Sequence, residues 1–257
     1  KEEVSLKSVI DMLPKLRSGI SKSFSHYSET EVYKNGSPKR IYDSIPDSDG
    51  AWLSLINEQL KKLIAWGELH LNGMSNGLKK VPGNMGSEFV LAESTIKNSH
   101  PLKRWYRKNA IEGLPNHQSR SHLTQDLMRY LFASIYLENH GKFPRLNDYA
   151  KHHRDLVPDH ANAESGKFTD RFRVQVADEP ATTVTSHISK DGHYFIHYDA
   201  SQCRSFTVRE AARVQTFPDN YLFRGSRTQQ YHQVGNAVPP YLAKQIAKIV
   251  FKIINRI

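Results

Sequence analysis

A single thiol, three closely spaced histidines and a glycine-led turn are the groups in this sequence whose types and spacing could do chemistry. Cys203 is the only cysteine among 257 residues. A thiolate can add to an electrophilic carbon or bind a metal. Cys203, however, lies in "SQCRS" directly before a helix of packing character, and is read as non-catalytic. One cysteine also excludes a disulfide framework and any all-thiolate metal site within the chain. His187, His193 and His197 follow each other closely, with His193 and His197 on one face of an expected strand. Two imidazoles suit zinc, but no cysteine is near and no carboxylate is placed as a third ligand. Satisfied or surface histidines are therefore expected, and no metal. The third feature is "HQVGNAVPPYLAKQIAKIV", residues 232–250. Gly235 permits a tight or left-handed turn, and Asn236 can bond locally or to a ligand. Pro239 and Pro240 fit before or at a first helical turn, whose backbone N–H groups are free.

Several elements must position these groups. Leu242, Ile246, Ile249, Val250, Ile253 and Ile257 form one apolar stripe, with Lys244, Lys248 and Lys252 opposite, so a terminal helix with a buried face is expected. Upstream, "SFTVREAARVQTFPDNY" (205–221) opens with Thr207 and has Glu210 three positions on, the pattern of a capping box. Arg209 and Arg213 lie one turn apart on that helix, Val208 and Ala212 make a narrow apolar face, and Pro218 stops it. "RFRVQV" (171–176) alternates as a strand does, and "ATTVTSHISKDGHYFIHYD" (181–199) reads as a hairpin turning at Asp191–Gly192. Helices are expected over 51–69, capped by Asp49 and stopped by Gly67, over 122–138, and over 148–155, capped by Asn147. "SVIDMLPKL" (8–16) is a short apolar turn or helix, and the remainder of residues 1–50 is polar and interrupted by glycine and proline. The glycines of 72–87 lack the strand and helix that a phosphate loop requires. The segment is read as a mobile loop in which Lys79 and Lys80 could meet DNA.

Composition narrows the classes. Lys and Arg total 36 against 26 Asp and Glu, a net +10, which favours a polyanionic partner, nucleic acid most simply. No apolar run approaches the roughly 18 residues that span a bilayer, and no signal peptide opens the chain, so a reducing cytoplasm is expected. The start at Lys1 reads as a piece of something longer.

Together these segments resemble the C-terminal half of bacterial DNA (cytosine-5)-methyltransferases of the restriction–modification type. "RSFTVREAARVQTFPDNYLF" resembles that family's ninth motif and "QYHQVGNAVPPYLAKQIA" its tenth. "DEPATTVTSHISKDGHYFIHYD" resembles the end of the target-recognition region in one subgroup. Residues 168–250 carry the likeness, while 1–167 match loosely, as a variable recognition segment. "HQSRSH" starts like the eighth motif, but His122 replaces its second arginine and it comes late in the order, so the two are not equated.

The resemblance implies roles. The turn of Gly235, Asn236, Ala237 and Val238 closes over S-adenosylmethionine, with Asn236 near the methionine moiety. Thr183 and Val184 lie beside the DNA backbone near a flipped base. The ninth-motif helix, with Arg209 and Arg213, organises the recognition region on double-stranded DNA. The implied architecture is α+β. A target-recognition domain (1–203) carries antiparallel strands and helices, and a C-terminal part (204–257) ends in a helix packed on a Rossmann-like methyltransferase domain. Methylating C5 of cytosine requires a thiolate at C6, an acid at N3 and a sulfonium methyl donor, all acting on a base turned out of the duplex. The family carries these in a Pro-Cys-Gln turn, a Glu-Asn-Val segment and a glycine-rich turn, none of which occurs here. The catalytic half is then a required partner, on the same protein or a separate subunit, and the terminal helix should look too apolar for its exposure. The alternatives are a non-catalytic DNA-binding module, the specificity subunit of a split enzyme, or an RNA-methylating variant.

Overall fold

The computed structural model describes all residues except 1–2, 68, 71–72, 93–95, 97–98, 110, 159–170 and 256–257. "SVIDMLPKL" yields one short helix, α1 (Leu6–Ile10), with Pro14 just beyond it. After β1 (Gly19–Ile20), the stretch read as merely polar forms a long antiparallel hairpin, β2 (Lys22–Val32) with β3 (Pro38–Ser44). Asn35–Gly36, with Gly36 at φ +82°, supplies its turn, a signal the composition of the segment had masked. Helix α2 (Asp49–Trp66) buries Trp52, Ile56, Leu60 and Leu63 as their spacing requires, and Gly67 at φ +79° ends it. Its cap is Ser48, whose hydroxyl accepts from the Ala51 N–H at 3.1 Å. Asp49 is the first helical residue and instead accepts from Arg17 Nε at 2.6 Å.

Strand β4 (Gly86–Val90) pairs antiparallel with β5 (Leu114–Gln118), with the short helix α3 (Lys103–Tyr106) between them in sequence. Strand β6 (Ser121–His122) lies parallel to β1. Helix α4 (Thr124–His140) is buried around most of its circumference and closes on Gly141 in the left-handed conformation. Helix α5 (Leu146–His152) starts earlier than its sequence suggested: Asn147 is inside it, and Asp148 accepts from the Arg145 N–H at 2.7 Å.

The hairpin expected over 181–199 and the strand over 171–176 do not form. Only single bridges join Val174 to Ile196 and Ile196 to Ser205. Side chains satisfy the backbone that a ladder would have used. Gln175 Oε1 accepts from both the N–H and the hydroxyl of Thr182, and a 3-10 turn covers Ser186–Ser189. Three helices complete the chain: α6 (Val208–Val214), α7 (Arg227–Asn236) and α8 (Pro240–Ile254).

The described residues thus make a mixed α+β fold with three small two-stranded sheets. Two apolar cores organise it. One joins α2, α4 and α5 to Phe172, Val174 and Ile196; the other joins α1, α6 and α7 to Val184, Ile188, Phe195 and Phe223. Among the described residues, no helix is long and apolar enough to cross a membrane.

Candidate functional site

The second core is built on α6. Thr207 Oγ1 accepts from the Glu210 N–H at 3.1 Å and Glu210 accepts from the Thr207 N–H at 2.8 Å, the reciprocal cap that the spacing predicts. Glu210 is buried, and Arg204 donates to both of its oxygens at 2.7 Å. Burial alone would raise its carboxyl pKa, but the Arg204 charge and hydrogen bonds win and hold it well below the carboxylate range. His117 and His197 flank this pair, and desolvation pushes each imidazole down to about 4, so both are neutral donors and acceptors at neutral pH.

Arg209 and Arg213, expected at the DNA, are fully buried. Arg209 donates to the carbonyls of Pro115, Pro218 and Tyr221, while Arg213 grips Asp219 through two nitrogens at 2.8 and 2.9 Å and donates to the Val9 carbonyl. Guanidiniums committed in this way brace the 215–223 loop from within the fold. Burial lowers the Arg209 pKa to about 10, which leaves it charged at neutral pH.

From α6 the scaffold reaches both other motif segments. The Gln215 side-chain amide donates to the carbonyls of Val184 and Val234, both at 3.2 Å. That one residue ties the Thr183–Val184 pair to the end of α7. Val184 is buried and Thr183 is exposed. Tyr231 on α7 donates to the Phe206 carbonyl at 2.6 Å, and the Arg120 guanidinium lies 3.7 Å over the Tyr231 ring while donating to the Ile188 carbonyl. "HQSRSH" therefore supports the same cluster, a role its sequence did not announce.

Gly235 departs from its expected conformation. It lies inside α7 and is no left-handed turn. A Cβ there would meet Ser186 N at 2.4 Å and Thr185 C and O at 2.4 and 2.5 Å. The glycine is needed for close approach of two backbones, which fixes the 183–186 segment against α7.

Beyond α7, Ala237 leaves the helix, and Pro239 and Pro240 start α8 with Pro240 at its first position, as expected. Thr216, at φ +62°, anchors the junction: its hydroxyl accepts from the Tyr241 N–H at 3.1 Å and its carbonyl from the Trp105 indole at 2.7 Å. Asn236 is exposed and Val238 is 61% exposed. The stripe that follows is not buried by the described residues. Leu242, Ile246, Ile249, Val250 and Ile253 are 46–60% exposed, and α8 has no buried residue; Ile257 lies outside the described residues. Tyr241 and Lys244 hold the start of α8 against Trp105, but the apolar stripe beyond them is a face that water does not stabilise.

His193, His197 and the thiol have hydrogen-bond partners, while His187 is exposed beside the Tyr194 ring. Tyr130 Oη and His193 Nδ1 are 2.8 Å apart, and His197 Nδ1 accepts from the Asp199 N–H at 3.0 Å. Among the described residues, no group of three or more His, Cys, Asp or Glu is placed to hold a metal. Cys203 is buried and its Sγ donates to the Leu127 carbonyl at 3.2 Å. Burial pushes the thiol pKa far up, so no reactive thiolate forms there.

The capped α6, its glycine-mediated contact through α7 and nearly all of the exposed apolar α8 fall in the part of the chain that a known family matches. Residues 73–252, more than half of the chain, match the family of C-5 cytosine-specific DNA methylases, and the chain belongs to that family. It is 45% identical over 155 residues to the Type II methyltransferase M.Bpa9945I of Bacillus paralicheniformis, covering 60% of this chain and 33% of that protein. It is 36% identical over 137 residues to the Type II methyltransferase M1.HphI of Haemophilus parahaemolyticus, covering 53% of this chain and 31% of that one. Over 156 residues it is 35% identical to the Type II methyltransferase M.DdeI of Desulfomicrobium norvegicum, covering 56% and 34%. The chain spans about a third or less of the length of the curated relatives it matches.

Proposed function

We propose that this chain is the target-recognition and C-terminal part of a DNA (cytosine-5)-methyltransferase of a restriction–modification system. Its substrate would be duplex DNA with one cytosine turned out of the helix. The observation that carries the reading is the free apolar face of α8, directly after exposed Asn236 and Val238. These residues suit one rim of a cofactor pocket whose floor is a Rossmann-like domain packed on α8. Asn236 offers a donor and an acceptor there, and Val238 an apolar contact. S-Adenosylmethionine, when bound, supplies the electrophilic methyl group.

Within this reading the chain's residues position and exclude. Gly235 and Gln215 hold Thr183–Val184 next to the cofactor rim, which sets the DNA backbone near the flipped base. Arg209 and Arg213 keep the α6 scaffold rigid and contact no DNA themselves. The nucleophilic thiolate and the acid at N3 come from the catalytic half, because Cys203 is sealed in the core. The setting would be the bacterial cytoplasm.

The test is transfer of labelled methyl groups from S-adenosylmethionine to duplex DNA by the full-length protein, or by this chain combined with a separately expressed N-terminal half. Transfer that requires both parts supports the reading; failure of the combination on every duplex tried refutes it. A second reading, a non-catalytic DNA-binding module, is favoured by the net charge of +10 and the buried thiol. It requires this chain alone to bind DNA selectively and with steep salt dependence.

A further inference from the structure

An open groove of about 880 Å³ runs beside α3, lined by His100, Pro101, Lys103, Arg104 and Arg107. Its lining carries three cations and no carboxylate. Arg104 and Arg107 are exposed and have no acceptor among the described residues. The backbone beneath them is fixed. Tyr106 is buried and donates to the Arg213 carbonyl at 2.8 Å, and the neighbouring Trp105 indole donates to the Thr216 carbonyl at 2.7 Å. Lys244 of α8 sits 4.9 Å over the Trp105 ring and adds another positive charge nearby.

His100 supplies an independent sign. It is 6% exposed, and its Nδ1 accepts from the Leu102 N–H at 3.1 Å. A ring nitrogen that accepts carries no proton, so the neutral imidazole has its hydrogen on Nε2. That Nε2 is buried and has no partner among the described residues. Buried donors are nearly always paired, and an orphan in the wall of a cationic groove calls for an acceptor beyond the described residues. Burial and the Arg213 charge hold the His100 pKa below the ordinary imidazole value, consistent with that tautomer.

We infer that this groove is a phosphodiester-binding subsite, in which Arg104 and Arg107 each take one phosphate of the DNA backbone and His100 Nε2–H donates to a phosphate oxygen. The inference rests on the DNA reading above and adds a contact surface to it. A single carboxylate would leave most of the positive charge uncompensated, whereas successive phosphates match a row of guanidinium forks. The contact reads no sequence. It fixes the protein's register on the duplex.

The experiment compares the full-length protein with its Arg104→Gln/Arg107→Gln variant, using an unmethylated duplex of about 30 base pairs over a salt series. Lys142→Gln, on an exposed lysine far along the chain, serves as the charge control. Two lost phosphate contacts should make the log-affinity against log-salt slope shallower by about 1.8. The affinity deficit of the variant should then change about twelvefold between 50 and 200 mM salt. The control should leave the slope within about 0.3 of the parent value. An unchanged slope in a protein that still binds DNA overturns the groove alone. An unchanged slope with a fall in melting temperature shows instead that a protein segment docks there, and overturns it too. Absence of duplex binding by the parent protein overturns both this inference and the function on which it rests.

Discussion

Replacing Gly235 by alanine tests the physical link between the recognition segment and the cofactor rim. The added Cβ would lie 2.4–2.5 Å from three backbone atoms of Thr185 and Ser186, none of which can rotate away. Overpacking of this kind costs about 1–3 kcal/mol, and a clash with backbone belongs at the upper end. Alanine returns at most about 1 kcal/mol of helix propensity, leaving a net loss of about 2 kcal/mol. For a chain of this size that is about 4–8 °C in melting temperature, or about 0.7 M in the urea midpoint. Gly67→Ala is the matched control, because its site is open and only its φ of +79° opposes a side chain. At position 67 asparagine should be tolerated better than alanine; at position 235 it should be no better, since a larger side chain meets the same backbone. A Gly235→Ala protein that unfolds within about 0.2 M urea of the parent refutes the close-approach argument. An asparagine that rescues position 235 would restore the left-handed turn in its place.

Glu210→Gln should destabilise the chain by about 3–5 kcal/mol in urea titrations, because it leaves Arg204 buried without its countercharge. Acid should also weaken the fold early. His117 and His197 titrate near 4 when folded and near 6.5 when unfolded, so the unfolded chain binds more protons between those values. Stability is then full above about pH 6.5 and falls by up to about 1.4 kcal/mol per pH unit for each histidine as pH drops towards 4. Glu210, whose folded pKa is depressed, adds its loss only at lower pH; equal urea midpoints at pH 7.5 and 5.5 would contradict this account. Ile249→Lys/Ile253→Lys should leave the unfolding of this chain within about 0.5 kcal/mol of the parent while abolishing methyl transfer by the full-length protein. Cys203→Ala should cost about 1 kcal/mol in packing and leave transfer intact; a dead but folded variant would make the thiol catalytic after all.

Some of this was legible from residues in order, and the reason is locality. The Thr207–Glu210 cap, the Trp52–Leu63 stripe, the Gly67 helix end and the paired prolines before α8 depend on neighbours three or four positions away. Those spacings survive in any sequence reading. The local signals also misled. Val, Thr and Ile in 181–189 favour a strand, yet among the described residues no partner strand pairs with them, and Gln175 and a 3-10 turn take backbone groups instead. In the opposite direction, the β2–β3 hairpin carries mixed polar residues because most of both its faces meets water, so alternation gave no sign of it.

By itself the sequence determined the net charge, the single thiol, the capped helix and the amphipathic α8, and through its motif order it pointed to the methylase family. Tertiary structure alone decided that Arg209 and Arg213 turn inward, that Gly235 serves backbone contact, and that Gln215 joins Val184 to Val234. It also decided that the described residues leave the α8 stripe uncovered. The division follows from physics. Capping and periodicity are set by bonds within one turn, whereas burial and close approach depend on residues distant in sequence, such as Thr185 against Gly235 and Pro115 against Arg209.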